Sequence, residues 1–173
     1  MATSALISVS EYLSTSYRPD CDYVDGEVQE RNLGEYDHGK LQGMLYLLFH
    51  AKREEWQIRV VPETRVQVKA TRFRVPDVCV LAGDAPTEQI LRYPPLLCLE
   101  VLSPSDTIAR MREKIRDYLE MGVRQVRLFD PSSRSAMQCA GNTMTEQREG
   151  ALRLPGTAIE VALAEIFSVL DEA

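Results

Sequence analysis

The segment between residues 96 and 130 constrains the fold most, because it reads as a strand, a helix and a second strand in succession. Residues 96–102 (LLCLEVL) form an apolar run with one carboxylate, which is typical of a central strand covered on both faces. Residues 107–121 have helical spacing and stop at Gly122, a common helix terminator. Residues 123–129 predict the next strand, so the segment should form a βαβ unit with parallel strands and a right-handed crossover.

Shorter elements are predicted on both sides of this unit. Ser8 precedes Glu11 at capping-box spacing and predicts a short helix, and Asp25-Gly26 predicts a tight hairpin turn. The remaining predictions are a helix over about 37–56, strands over 58–61, 64–68 and 75–81, and weaker strands followed by a short helix near 162–170. This order predicts an α/β domain with a mixed β-sheet flanked by helices.

Length and charge limit the classes of function. A chain of 173 residues with 45% hydrophobic and 27% charged residues predicts one compact domain over residues 1–173. The formal charge of −6 argues against a surface for nonspecific nucleic-acid binding, which relies on lysine and arginine displacing counterions. Any such contact would depend on a local basic patch such as residues 110–116, which also reads as a solvated helix face.

The cysteines and the N-terminus indicate a cytoplasmic protein. Cys21, Cys79, Cys98 and Cys139 are widely spaced and form no Cys-x-x-Cys pair, so neither a structural zinc site nor a disulfide framework is predicted. The N-terminus has no signal-peptide pattern, and no apolar run is long enough to span a membrane. We therefore expect no membrane partner.

Two carboxylates stand alone in apolar strands: Asp77 in the run 75–81 and Glu100 in the run 96–102. If these strands are neighbours, the carboxylates can converge on a hard divalent cation such as Mg²⁺, which prefers oxygen ligands. Alternatively, Asp77 begins its strand beside solvent and Glu100 ends one at an edge. On the metal-site hypothesis, Asp77→Asn should abolish divalent binding and leave the metal-free fold at least as stable, because two repelling carboxylates become one.

Lys114 lies on the flank of the buried stripe of the helix over 107–121, where its side chain can reach past the sheet edge. Arg112 and Arg116 lie on the far side of the same helix and are expected to face water. The alternative for Lys114 is the same solvation, so its role depends on the carboxylates being close.

The chain resembles the Uma-two family of restriction endonucleases, within the PD-(D/E)XK nuclease superfamily. The resemblance spans about residues 8–131 and extends more loosely to 167. Its motifs, in chain order, are Tyr23-Val24-Asp25-Gly26-Glu27, Asp37-His38-Gly39, Pro76-Asp77, the run EVLSPSD at 100–106, Lys114, Tyr118, Gly122-Val123 and Asp130-Pro131.

The resemblance implies a restriction-endonuclease-like fold and phosphodiester hydrolysis with Mg²⁺ or Mn²⁺, and the nucleic acid is expected to be DNA. Asp77 and Glu100 would be metal ligands with the Val101 carbonyl as a further ligand, and Lys114 would position or activate the attacking water. The superfamily places a lysine two residues after the glutamate, where this chain has Leu102. The lysine role therefore passes to Lys114.

Two further residues become candidate site members through the resemblance. Glu27 follows the hairpin turn and also reads as a cross-strand surface residue. His38 shares a helix face with Leu41 and Leu45, and such a histidine is often only a hydrogen-bonded structural residue. The alternative to an endonuclease is a noncatalytic binding or regulatory module with a nuclease fold. For a nuclease that cuts both strands we expect a homodimer.

Overall fold

The fold was determined as a computed structural model that describes residues 5–31 and 34–172. The helices are α1 (Val9–Ser14), α2 (Tyr36–Ala51), α3 (Ile108–Met121) and α4 (Leu163–Phe167), and a 3-10 turn follows at Ser168–Asp171. The strands are β1 (Asp22–Val24), β2 (Glu27–Gln29), β3 (Ile58–Pro62), β4 (Val66–Lys69), β5 (Arg72–Arg74), β6 (Val78–Ala82), β7 (Leu97–Val101), β8 (Gln125–Asp130), β9 (Ser135–Ala140), β10 (Thr143–Gln147), β11 (Ala151–Arg153) and β12 (Glu160–Ala162).

A six-stranded mixed sheet forms the centre of the molecule, in the order β10-β9-β8-β7-β6-β3. β7 and β8 are parallel and are joined by α3, which confirms the predicted βαβ unit, and the other neighbouring pairs in this sheet are antiparallel. Thr107 caps the N-terminus of α3 with its side chain, and Gly122 ends the helix at a φ of 108°. This left-handed conformation is the one that glycine adopts without strain.

Each face of the central sheet is covered by helices. Leu97, Leu99 and Val101 pack with α2 and α4, whereas Cys98, two residues before Glu100, packs with α3. Because side chains along a strand alternate between faces, Glu100 projects toward α3. The strand alternation thus places this carboxylate beneath the helix that carries Lys114.

The same alternation applies to Asp77. Cys79 and Leu81 of β6 pack on the α3 side, so Asp77 has the parity of that face. In the antiparallel β6–β7 pair, Val78 is opposite Leu99, and extending this register by one residue sets Asp77 opposite Glu100. The two carboxylates therefore lie at the same end of adjacent strands.

A smaller sheet, in the order β2-β1-β5-β4, packs beside this end of the central sheet with α1. Its core contains Tyr12, Tyr23 and Phe73, and Ser8 caps α1 by accepting the Glu11 N–H as the sequence predicts. The Asp25-Gly26 turn joins β1 to β2. This sheet contributes further charged side chains to the site described below.

Two predicted boundaries differ from the structure. The strand predicted over 75–81 begins at Val78, because Val75 donates its N–H to the Asp22 carboxylate and links β5 of the small sheet to β6 of the large one. The helix predicted over about 37–56 ends at Ala51, after which the chain turns and Gln57 takes a positive φ of 53°. Among the described residues, no helix has the length and apolar character needed to cross a membrane.

Candidate active site

A cavity of about 180 Å³ opens between α2, α3, the end of β7 and the small sheet. Its lining includes five residues singled out from the sequence: His38, Asp77, Glu100, Val101 and Lys114. Glu27 is exposed at the start of β2 and is not among the lining residues. The structure therefore brings five of the six predicted site residues together and leaves Glu27 on the hairpin surface.

Asp77 is buried, with 3% of its surface exposed, and both of its carboxylate oxygens are engaged. Oδ2 accepts the backbone N–H of Val101 at 2.7 Å and lies 3.4 Å from Nε2 of His38. Oδ1 accepts a hydrogen bond from Nη2 of Arg31 at 2.5 Å. The apolar strand thus tolerates this carboxylate because a cation and a backbone donor compensate it.

These contacts set the charge states of Asp77 and His38. Burial raises the pKa of the Asp77 carboxyl, but the His38 hydrogen bond and the Arg31 charge outweigh burial and leave the pKa below its ordinary value. The hydrogen bond to Asp77 in turn raises the pKa of His38 against the opposing effect of burial. His38, on the first turn of α2, therefore favours the ionised form of Asp77.

Glu100 is likewise 3% exposed and lies between two donors from α3. Lys114 Nζ is 2.9 Å from Oε1 and 3.0 Å from Oε2, and Tyr118 donates its hydroxyl to Oε1 at 2.7 Å. Lys114 also donates to the Val75 carbonyl at 3.2 Å. Residues 114 and 118 are one helical turn apart, so they meet the same carboxylate from one face of α3.

The pKa of Glu100 is shifted in the opposite direction to that of Asp77. Burial raises the pKa of Glu100 to about 7, and the nearby charge of Lys114 opposes the increase. Burial also lowers the pKa of Lys114, but Asp22 and Glu100 outweigh it and hold that pKa above its ordinary value. Lys114 is therefore a protonated hydrogen-bond donor at neutral pH.

Sequence reasoning missed two charged residues of the small sheet. Asp22 accepts the Val75 N–H at 2.8 Å and an Arg74 Nη1 hydrogen bond at 3.2 Å, and its Oδ2 lies 3.8 Å from Lys114 Nζ. Arg74 is 2% exposed and donates through Nε to Asp117 of α3 at 2.7 Å. Asp22 and Arg74 thus connect the small sheet to α3 and stabilise the position of the helix that carries Lys114.

The donor set fits a magnesium-type cation better than a zinc-type one. Asp77 and Glu100 contribute hard carboxylate oxygens to one cavity, and among the described residues no group of three His, Cys, Asp or Glu side chains has metal-binding geometry. Mg²⁺ commonly takes one or two carboxylates and keeps several waters, whereas structural zinc takes four protein ligands. Val101 lines the same cavity, and its N–H fixes the position of Asp77.

Comparison with known proteins identifies the family of the chain. The model of the Uma2 family, described as "Putative restriction endonuclease", matches residues 9–163. The chain belongs to the Uma2 family. The match extends over both sheets and includes every residue of the cavity discussed above. No curated protein gives a match.

A solved structure supports the same fold. The crystal structure of a putative nuclease belonging to DUF820 from Anabaena variabilis ATCC 29413 superposes with a TM-score of 0.83 at 18% identity, covering 95% of this chain and 99% of that one. The DrdV–DNA complex gives a TM-score of 0.40 at 15% identity over 73% of this chain and 10% of that chain, which is too low to define a shared fold. The α/β fold expected from the sequence, a mixed β-sheet flanked by helices, is confirmed by the first of these.

Proposed function

We propose that this Uma2 protein is a divalent-metal-dependent nuclease that hydrolyses phosphodiester bonds in DNA. The observation that carries the proposal is the meeting of Asp77, Glu100 and Lys114 at one cavity, with the ammonium of Lys114 bonded to Glu100. Both carboxylates are 3% exposed and lie at the ends of adjacent strands, facing the same cavity. Their convergence supports a chemical role.

In this proposal Asp77 and Glu100 hold Mg²⁺ or Mn²⁺, with the Val101 carbonyl as a further ligand. The bound ion would lower the pKa of a water molecule and neutralise charge on the phosphate. Lys114 supplies N–H donors to a phosphate oxygen or to the attacking water, as its contacts with Glu100 and the Val75 carbonyl show that it reaches the cavity. His38 keeps Asp77 ionised and oriented.

The test is a cleavage assay with supercoiled plasmid, single-stranded DNA and RNA, each incubated with Mg²⁺, with Mn²⁺ or with EDTA. The proposal predicts metal-dependent cleavage of DNA by the wild type and loss of cleavage in both Asp77→Asn and Glu100→Gln. Cleavage that persists in EDTA, or that survives both substitutions, would exclude this site as the catalytic centre.

A second candidate is a noncatalytic module that binds a partner through the nuclease fold. The observation in its favour is that the buried charges of the cavity are already paired: Arg31 pairs with Asp77, and Lys114 pairs with Glu100. The charge of −6 favours it as well. A divalent-metal titration separates the two candidates, because a module that has lost catalysis need not retain an affinity for Mg²⁺ or Mn²⁺.

The proposed nuclease acts in the cytoplasm as a homodimer, since cleavage of both strands of a duplex requires two sites and two-fold pairing is the commonest assembly. The four cysteines are buried and unpaired, in keeping with a reducing compartment. Light scattering coupled to size-exclusion chromatography measures the assembly, and a mass equal to one chain would contradict the dimer.

A further inference from the structure

Arg31 is a charged neighbour of Asp77 to which the proposed reaction assigns no role. Its Nη2 donates to Asp77 Oδ1 at 2.5 Å, and its Nη1 lies 3.6 Å from Oε1 of Glu63 at the mouth of the cavity. The Arg31 side chain is 11% exposed, so the ion pair with Asp77 is sheltered from water. Arg31 also lines the cavity that contains both carboxylates.

The groups that contact Asp77 belong to different elements of the fold. The Val101 N–H that donates to Oδ2 belongs to β7, which is hydrogen-bonded on both sides within the central sheet. His38 approaches the same Oδ2 from the first turn of α2. Arg31 lies between β2 and α2, outside both elements, and contacts the other oxygen. Oδ1 therefore accepts its hydrogen bond from a side chain in the segment that connects β2 to α2.

A divalent cation bound at Oδ1 would lie against the guanidinium of Arg31, because that oxygen accepts the Arg31 hydrogen bond. An ion bound there would bring two positive charges against the guanidinium in a cavity where water screens poorly. When both are ionised, Asp77 and Glu100 carry two negative charges, and Lys114 pairs with Glu100. Repulsion between the ion and the guanidinium thus favours the departure of Arg31 from Asp77 when an ion binds between the two carboxylates.

We propose that Arg31 exchanges partners: it pairs with Asp77 in the free protein, and when a divalent cation replaces it, the guanidinium binds a phosphate oxygen of the substrate. This inference rests on the nuclease function proposed above and adds the residue that couples ion binding to phosphate binding. The planar fork of an arginine suits phosphate oxygens, and a phosphate that enters this cavity meets the same side chain. The exchange gives metal-loaded protein a substrate contact that metal-free protein lacks.

The first test is the affinity of Arg31→Gln for Mn²⁺, measured by calorimetric titration of the full chain without nucleic acid. Glutamine leaves Asp77 without its competing cation, so we expect Mn²⁺ to bind about tenfold more tightly than to the wild type, because no charge-assisted hydrogen bond has to be broken. The matched control is Arg110→Gln. Arg110 lines the same cavity and donates to the Glu30 carbonyl at 3.2 Å, so its loss should change Mn²⁺ affinity less than about twofold.

The second test is substrate affinity with Mn²⁺ present, measured by fluorescence anisotropy with a short labelled DNA duplex in a Lys114→Ala background. Arg31→Gln should weaken duplex binding about tenfold, because one charged phosphate contact is lost. Arg31→Lys keeps the charge without the fork and should give intermediate values in both tests. It also decides the result if the glutamine variant does not fold, which circular dichroism in EDTA would reveal.

The outcomes separate this inference from the function on which it rests. If neither the wild type nor Arg31→Gln binds Mn²⁺, the nuclease proposal itself fails. If the wild type binds Mn²⁺ and Asp77→Asn does not, but Arg31→Gln binds no more tightly than the wild type, only the exchange is overturned. Tighter Mn²⁺ binding with unchanged duplex affinity would overturn the phosphate contact.

Discussion

Asp77→Asn should lower the stability of the metal-free protein by about 3 kcal/mol. The asparagine oxygen can still accept the Val101 N–H, so the loss comes from the Arg31 ion pair at 2.5 Å and the weaker His38 contact at 3.4 Å. A hydrogen bond to a charged group contributes about 1.5–3 kcal/mol, and removing one partner of a buried pair costs about 3–5 kcal/mol. For a chain of this length, a loss of about 3 kcal/mol lowers Tm by about 6–12 °C.

The assay is urea unfolding in EDTA, followed by circular dichroism. Glu63→Gln is the matched control, because Glu63 also lies within 3.6 Å of Arg31 but its side chain is 48% exposed. Such an exposed pair contributes about 0–1 kcal/mol. If Asp77→Asn lost no more stability than Glu63→Gln, the contacts of Asp77 would not be net stabilising. That result would agree with the expectation from the sequence alone, in which Asp77→Asn does not destabilise the metal-free protein.

Three further predictions concern α3 and Glu100. Lys114→Ala should abolish plasmid cleavage, whereas Arg112→Ala, which replaces an exposed residue of the same helix, should lower the rate less than about twofold. Equal losses would mean that the helix contributes only a general positive potential. Burial raises the pKa of Glu100 to about 7, so the folded protein holds this proton more tightly than the unfolded chain. The free energy of unfolding of the wild type therefore decreases as pH rises from about 4.3 to about 7. The Tm of Glu100→Gln relative to the wild type should therefore increase from about pH 5 to about pH 8, and a constant difference would mean that Glu100 does not titrate there. Tyr118→Phe removes the 2.7 Å hydrogen bond to Glu100 and should cost about 2 kcal/mol in urea unfolding above pH 7, where an effect near zero would show the bond to be dispensable.

The central βαβ unit could be predicted from the sequence because each of its signals is local. An apolar run gives β7, Gly122 ends α3, and the apolar residues Val126, Leu128 and Phe129 mark β8. β5 could not be predicted, because Arg72–Arg74 contains a single apolar residue and directly precedes the apolar run that begins at Val75. Its strand character comes from pairing with β1 and β4, which the local sequence does not encode.

A residue of the candidate site could be predicted from the sequence where its charge did not fit the apolar residues beside it. Asp77 and Glu100 stand out as carboxylates in apolar runs, and Lys114 stands out by its position on α3. Arg31 and Asp22 gave no such signal, because a charged residue in or after a short hairpin reads as solvated. Their roles depend on contacts across long stretches of chain, such as the 46 residues that separate Arg31 from Asp77. The sequence predicts that Asp77→Asn leaves the metal-free fold at least as stable because it does not reveal the Arg31 contact, and that contact predicts the opposite effect.

In the proposed site Asp77 and Glu100 bind one divalent cation, and anomalous diffraction from crystals soaked in Mn²⁺ is the direct test. We expect a single anomalous peak in the cavity, at about 2.1 Å from a carboxylate oxygen of each residue. An empty cavity at saturating Mn²⁺, with Lys114 still on Glu100 and Arg31 still on Asp77, would contradict it.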